Sequence, residues 1–110
     1  MKVFLDDLRT TPIDWVRVYW PDEAIELLKT GKVTEITLDH DLGDDERGTG
    51  RDVTNWIEEQ VYLHDFNPPV IYIHSDNSCG QKTMLGAIKN INLKIGRHQS
   101  VYFLKAFYKD

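Results

Sequence analysis

The chain has 110 residues, enough for one domain with a modest core, and its 41% hydrophobic and 28% charged composition is that of an ordinary soluble globular protein. A formal charge of −5 argues against a non-specific DNA binder or a membrane-surface binder, since both need a basic face. The single cysteine, Cys79, excludes an internal disulfide, no apolar run approaches a membrane span, and Met1–Leu5 meets two aspartates at once rather than continuing as a signal peptide, so a reducing cytosol is the expected setting.

Lys2 to Leu5 reads as a short buried strand that runs into Asp6-Asp7. Arg9 to Pro12 is a loop, and Val16 to Trp20 alternates with period two, as a second strand does. Pro21 suits the first turn of a helix with Asp22 and Glu23 at its positive end, an apolar face of Ala24, Ile25 and Leu28, and Gly31 as the stop. Val33 to Leu38 is the third strand. A polar loop follows from Gly43 to Gly50, its acidic start read as solvated surface in a place where a lid could lie. Thr49 and Asp52 have capping-box spacing before a helix face of Val53, Trp56, Ile57 and Val61. Asn67-Pro68-Pro69 breaks the chain before a fourth strand, Val70 to Ile73, and Ser78 with Gln81 has the spacing of a second capping box. Met84, Ala87, Ile88 and Ile91 face the last helix inward. Ser100 to Lys109, with Tyr102, Phe103, Phe107 and Tyr108, fits either a terminal strand or a docking helix and is read as core or interface, which admits a homodimer.

Strands alternating with helices give an α/β domain with a mainly parallel sheet. Only about ten residues separate the first two strands and no amphipathic helix lies between them, whereas a parallel crossover normally takes a dozen residues or more. Either a short irregular crossover joins them, or that pair is antiparallel.

Three apolar runs end in polar clusters: Asp6-Asp7, Asp39-His40-Asp41, and His74-Ser75-Asp76-Asn77. Ligands bind beyond the carboxyl ends of strands in open parallel sheets, so parallel neighbours would gather these clusters in one cleft. Crowded carboxylates repel one another until some protonate or a cation joins them. Asp6, Asp7 and Asp39 are the expected metal ligands, and an all-oxygen set favours Mg²⁺ or Mn²⁺. His40 and His74 are the candidate general acid and base. Ser75 and Asn77 are candidate phosphate donors beside a helix N-terminus, Arg9 a candidate phosphate clamp, and Asp41 a further ligand or the residue that orients His40. Together these residues suit metal-assisted phosphoryl or phosphodiester chemistry. His64, His98 and Cys79 belong to no constellation. His64 and His98 read as surface, Cys79 as an incidental thiol and Trp56 as helix core.

The ordered motifs resemble a receiver domain, and more closely a variant of that fold, the cyclic-phosphate-processing receiver-like family of bacteria and phages. The resemblance rests on Asp6-Asp7-Leu8-Arg9, Leu38-Asp39-His40-Asp41-Leu42-Gly43, the Gly48-to-Trp56 segment, and His74 to Asn77 followed by Gly80 and Met84. It runs from Val3 to about Ile91. It departs from the family at Ser78, where a proline is common, and neither Lys94 nor Lys105 can be matched to a receiver's strand-five lysine. The resemblance implies a single flavodoxin-like three-layer domain over residues 1–91, with the first helix shortened or absent and residues 92–110 an aromatic extension packed on it. It also implies a metal-dependent phosphodiesterase acting on a cyclic phosphate, either a 2′,3′-cyclic phosphate RNA end or a cyclic nucleotide, in the cytoplasm of a bacterial or phage-infected cell. The rival readings are a phospho-accepting receiver that uses Asp39 without turnover and an interaction protein that sequesters a nucleotide.

Overall fold

The computed structural model describes residues 1–103. In chain order the elements are β1 (Lys2–Leu5), β2 (Trp15–Val18), α1 (Pro21–Leu28), β3 (Glu35–Leu38), α2 (Gly50–His64), β4 (Val70–Ile73) and α3 (Ser78–Ile95). The strands form one sheet of order β2-β1-β3-β4, with every pair parallel. The open choice at the first pair is thereby settled: β1 and β2 are parallel, joined by the irregular crossover 6–14 with no helix in it. Asp14, at φ 70°, turns the chain into β2, a conformation that a short polar side chain tolerates.

Strand alternation divides the buried residues. Val3, Leu5, Val18, Ile36, Leu38, Ile71 and Ile73 join Ala24 and Leu28 of α1, Val53 and Ile57 of α2, and Met84, Ile88 and Ile91 of α3 in one apolar core. Among the described residues, all three helices contribute to that side of the sheet. Phe4, Thr37 and Tyr72 belong to the opposite face. There Phe103 packs edge-on to Trp15 at 5.1 Å and against Tyr72 at 5.6 Å. The aromatic tail thus reaches the domain through 101–103, which lies extended beside β4: Ile73 N–H donates to Val101 O at 2.7 Å and Phe103 N–H to Ile73 O at 2.9 Å. Phe107 and Tyr108, on which the strand-or-helix choice also turned, lie outside the described residues.

Element ends follow local chemistry. β2 stops at Val18, before the expected Trp20, because the Tyr19 and Trp20 N–H groups donate to the Glu23 carboxylate in the first turn of α1. Thr49 and Asp52 form the expected capping box on α2. The cap of α3 is Asn77 rather than Ser78: its Oδ1 accepts from Gly80 N–H at 2.9 Å, and Ser78 is the first helical residue. The helix runs on to Ile95, past the expected boundary at residue 91. Among the described residues no helix is long and apolar enough to cross a membrane.

Two glycines let helices start against the strand ends. A Cβ on Gly50 would lie 2.1 Å from the Asp39 carbonyl oxygen, and one on Gly80 would lie 2.4 Å from His40 Cγ. Gly50→Ala should therefore lower the unfolding free energy by about 3 kcal/mol, because backbone must move to admit the methyl group. Gly86→Ala, on α3 with nothing near its added Cβ, should gain up to about 1 kcal/mol. Urea denaturation compares the two, and an unchanged midpoint for Gly50→Ala would show that this close approach is not present.

Candidate functional site

The parallel ladder continues one row beyond the strands. Asp6 N–H donates to Val18 O at 3.2 Å, Asp39 N–H to Leu5 O at 2.9 Å and His74 N–H to Leu38 O at 3.1 Å. Asp6, Asp39 and His74 thus stand side by side at the carboxyl edge, on the face of Phe4 and Thr37. Thr37 is small enough for the His74 ring to extend over it. The ring stacks on Phe4, with centroids 4.6 Å apart and planes 3° from parallel.

His74 is buried, with both ring nitrogens engaged: Nδ1 with Thr37 Oγ1 at 2.8 Å and Nε2 with Asp6 Oδ2 at 2.9 Å. Burial lowers its pKa, against the opposing pull of Asp6. His74, expected as a general acid or base, thus has both ring nitrogens bonded inside the protein. It is sealed beneath the site and positions Asp6.

Asp6 is fully buried. Burial alone would raise its pKa, but the hydrogen bonds from His74, the Leu8 and Arg9 N–H groups and the Arg9 guanidinium outweigh it and hold the carboxyl well below the usual carboxylate range. Asp39 behaves in the opposite way. Burial, then the Asp6 charge, push it up to about 6, although Arg9 and the His40 N–H oppose the rise. Asp7 is half-buried beside them, and one carboxylate oxygen from each of Asp6, Asp7 and Asp39 lies within 4.8 Å of the others. The three aspartates expected to act together are thus brought together.

Arg9 lies across this group. Its Nη1 donates to Asp6 Oδ2 at 3.0 Å and Asp39 Oδ2 at 3.2 Å, and its Nη2 to Asp76 Oδ2 at 2.7 Å. Burial alone would lower the Arg9 pKa, but the Asp6, Asp39 and Asp76 carboxylates raise it.

On the other side of β3, His40 Nδ1 bonds Asp41 Oδ1 at 2.8 Å, and Asn77 Nδ2 donates to both Asp41 oxygens at 3.1 and 3.2 Å. These bonds lower the Asp41 pKa. Gly80, at the start of α3, lies against the His40 ring. Asp41, expected as a further ligand or as the residue that orients His40, is thus hydrogen-bonded to the His40 ring. Asn77, expected on phosphate, has both side-chain ends engaged inside the protein, capping α3 and holding Asp41. Ser75 is likewise buried, with Oγ accepting from Asn77 N–H at 3.1 Å, so its geometry is that of a turn-former rather than a phosphate donor.

Sequence reading missed Arg17. From β2 its Nε donates to Asp6 O at 3.1 Å and its Nη1 to Arg9 O and to Thr11 Oγ1, tying down the 6–14 crossover. Alternation within Val16-Arg17-Val18 placed Arg17 opposite Val18, but only the parallel register puts it beside Phe4. Thr37 was also missed, and Asp76 was placed in its polar cluster without a role. His64, His98 and Cys79 are exposed. The Gly43–Gly50 loop is fastened to α1 by Arg47, which forks onto Asp22 at 3.2 Å to each oxygen and lies 4.5 Å over the Trp20 ring.

A family model for the cyclic-phosphate processing receiver domain matches residues 1–90. The chain belongs to that family. Neither the comparison with curated proteins nor the one with solved structures finds a match. The family match covers every strand and most of α3, and it contains the whole of the site described above.

In this cyclic-phosphate processing receiver domain the raised Asp39 pKa sets a sign for stability against pH. The folded state binds the Asp39 proton more tightly than the unfolded chain, whose ordinary value is 3.8. The resulting stability is complete below that value and is lost as pH rises through about 6. In chelator, Asp39→Asn should therefore exceed wild type by up to about 3 kcal/mol at pH 8 and by little at pH 4. Thermal melts across that range check it, and a less stable Asp39→Asn at pH 8 would contradict the assigned strain.

Proposed function

We propose that this domain is a metal-dependent phosphodiesterase that opens a cyclic phosphate, with a 2′,3′-cyclic phosphate RNA end or a cyclic nucleotide as substrate. The observation that carries the reading is the convergence of Asp6, Asp7 and Asp39, with ligand oxygens within 4.8 Å, at one sheet edge of a domain whose family processes cyclic phosphate. The donor set fits Mg²⁺ or Mn²⁺: it is all carboxylate oxygen, and both the burial and the Asp6 charge that push the Asp39 pKa up to about 6 are disadvantages to its ionised form that a bound divalent cation offsets. When bound, such an ion supplies charge neutralisation at the phosphate and a more acidic water.

The chain's own groups do the rest. The Nδ1–H of His40 donates to Asp41, which fixes the tautomer and leaves the Nε2 lone pair to accept a proton. Among the described residues no hydrogen bond engages that nitrogen. His40 removes a proton from water, the water oxygen attacks phosphorus, and one ester P–O bond breaks. The departing sugar oxygen takes a proton from solvent water and His40 returns its proton to solvent, so the product is a phosphomonoester when the substrate is a 2′,3′-cyclic end. Asn77 keeps Asp41 in place, and His74 keeps Asp6 ionised and aimed.

Asp39 at the end of β3 also supports the phospho-accepting reading. Acetyl phosphate with Mg²⁺, followed by intact mass, separates the two: a stable phosphoryl adduct lost in Asp39→Asn would favour acceptance over turnover. For the hydrolase, the assay offers 2′,3′-cyclic mononucleotides, cyclic-phosphate-ended RNA and cyclic oligonucleotides with Mg²⁺ or Mn²⁺. Wild type should turn over one of these classes. His40→Ala should lose about 10²- to 10⁴-fold, and Asp41→Asn should show a smaller loss in the same direction. Binding without turnover would favour sequestration. No turnover of any class, with wild type equal to Asp39→Ala, would sink the enzyme reading.

A further inference from the structure

Among the described residues three carboxylates hold the Arg9 side chain, and two of those contacts use oxygens of the expected metal ligands Asp6 and Asp39. Asp39 Oδ1 accepts the His40 N–H, so Oδ2 is its outward oxygen, and Arg9 Nη1 is on it. Asp6 Oδ1 accepts two backbone N–H groups, while Oδ2 is shared between His74 and the same Arg9 nitrogen. A carboxylate oxygen has two lone-pair sites, and those of Asp6 Oδ2 are both taken. A divalent ion on these oxygens would stand at hydrogen-bond range from a guanidinium, where like charges repel strongly in a sheltered site.

The rest of Arg9 is arranged so that the side chain alone can leave. Its N–H donates to Asp6 Oδ1 and its carbonyl accepts from Arg17, which pins the backbone. The third carboxylate, Asp76, is at the surface with a side chain 87% exposed, whereas the Asp6 side chain is 0% exposed. Arg9 is thus anchored outside by a solvated partner and inside by the buried pair.

We infer that Arg9 is an internal counter-ion that exchanges for the divalent cation. In the metal-free protein it neutralises Asp6 and Asp39. On metal binding its guanidinium swings outward about the Asp76 end, and its planar fork then faces the non-bridging oxygens of the substrate phosphate. Metal therefore binds before phosphate, and the same residue serves the site in both states. This rests on the metal-dependent reading above.

Mn²⁺ binding to the chelator-stripped full chain tests it, by calorimetry and by loss of the free-Mn²⁺ electron paramagnetic resonance signal. Arg9→Ala should bind Mn²⁺ about tenfold tighter than wild type, the size expected when one sheltered ion pair no longer has to break. Arg9→Gln, which removes the charge but keeps a polar side chain of similar reach, should also bind Mn²⁺ more tightly than wild type, by several-fold. In chelator Arg9→Ala should melt below wild type, and saturating Mn²⁺ should close the gap by linkage. Measurable wild-type binding, with equal or weaker affinity in both variants, would overturn the exchange and leave the metal reading standing. No binding by any of the three proteins would overturn both. If Arg9→Ala does not fold, the direction of the Arg9→Gln shift decides.

Discussion

The buried hydrogen bond between His74 and Asp6 is the constraint on which the rest of the site depends. It links the residues that follow β4 and β1, across β3, with Thr37 and Phe4 fixing the imidazole from two sides. Once Asp6 is held, its other oxygen gathers the Leu8 and Arg9 N–H groups, and Arg17 fastens the backbone behind it. The crossover 6–14 is shaped by one carboxylate rather than by a helix. Removing the imidazole would leave a buried carboxylate short of a donor, a loss that typically costs about 1–3 kcal/mol and more for a charged group.

Neighbouring aspartates at one sheet edge are then forced into different states. Asp6 collects enough donors to stay ionised in the interior; Asp39, one strand over, collects fewer and sits in the field of Asp6. The two carboxylates therefore differ in proton affinity while sharing Arg9 as a counter-ion. The His40–Asp41–Asn77 chain is separate from this contest. It lies toward the helix side of β3, and its order comes from the cap of α3 and the missing Cβ of Gly80.

What was legible in the sequence was local. Val70 to Ile73 has the bounds read from its apolar run, Pro21 opens α1, and the Thr49–Asp52 box opens α2, because each signal is complete within a few residues. The three-aspartate cluster was legible too, since parallel neighbours necessarily align their carboxyl ends. Register-dependent features were not. Arg17 looks like an ordinary outward residue of a strand until its pairing with Phe4 is known. His74 reads as an active imidazole until Thr37 and Phe4 are seen to enclose it. Gly50 and Gly80 look like loop flexibility, yet their role is steric and concerns residues far away in sequence. Asn77 and Ser78 are equally good caps in isolation, and only the Gly80 N–H chooses between them.

The helix-free link between β1 and β2 has a further consequence. Among the described residues β2 is an edge strand of four residues, with Val16 43% exposed and Val18 in the core. Its Arg17 is the tie that holds the link carrying Arg9, and that link begins at Asp6. Edge strand and link are therefore wired to the buried carboxylate through one arginine, so a disturbance at the rim of the sheet reaches the site through polar bonds rather than through the helices.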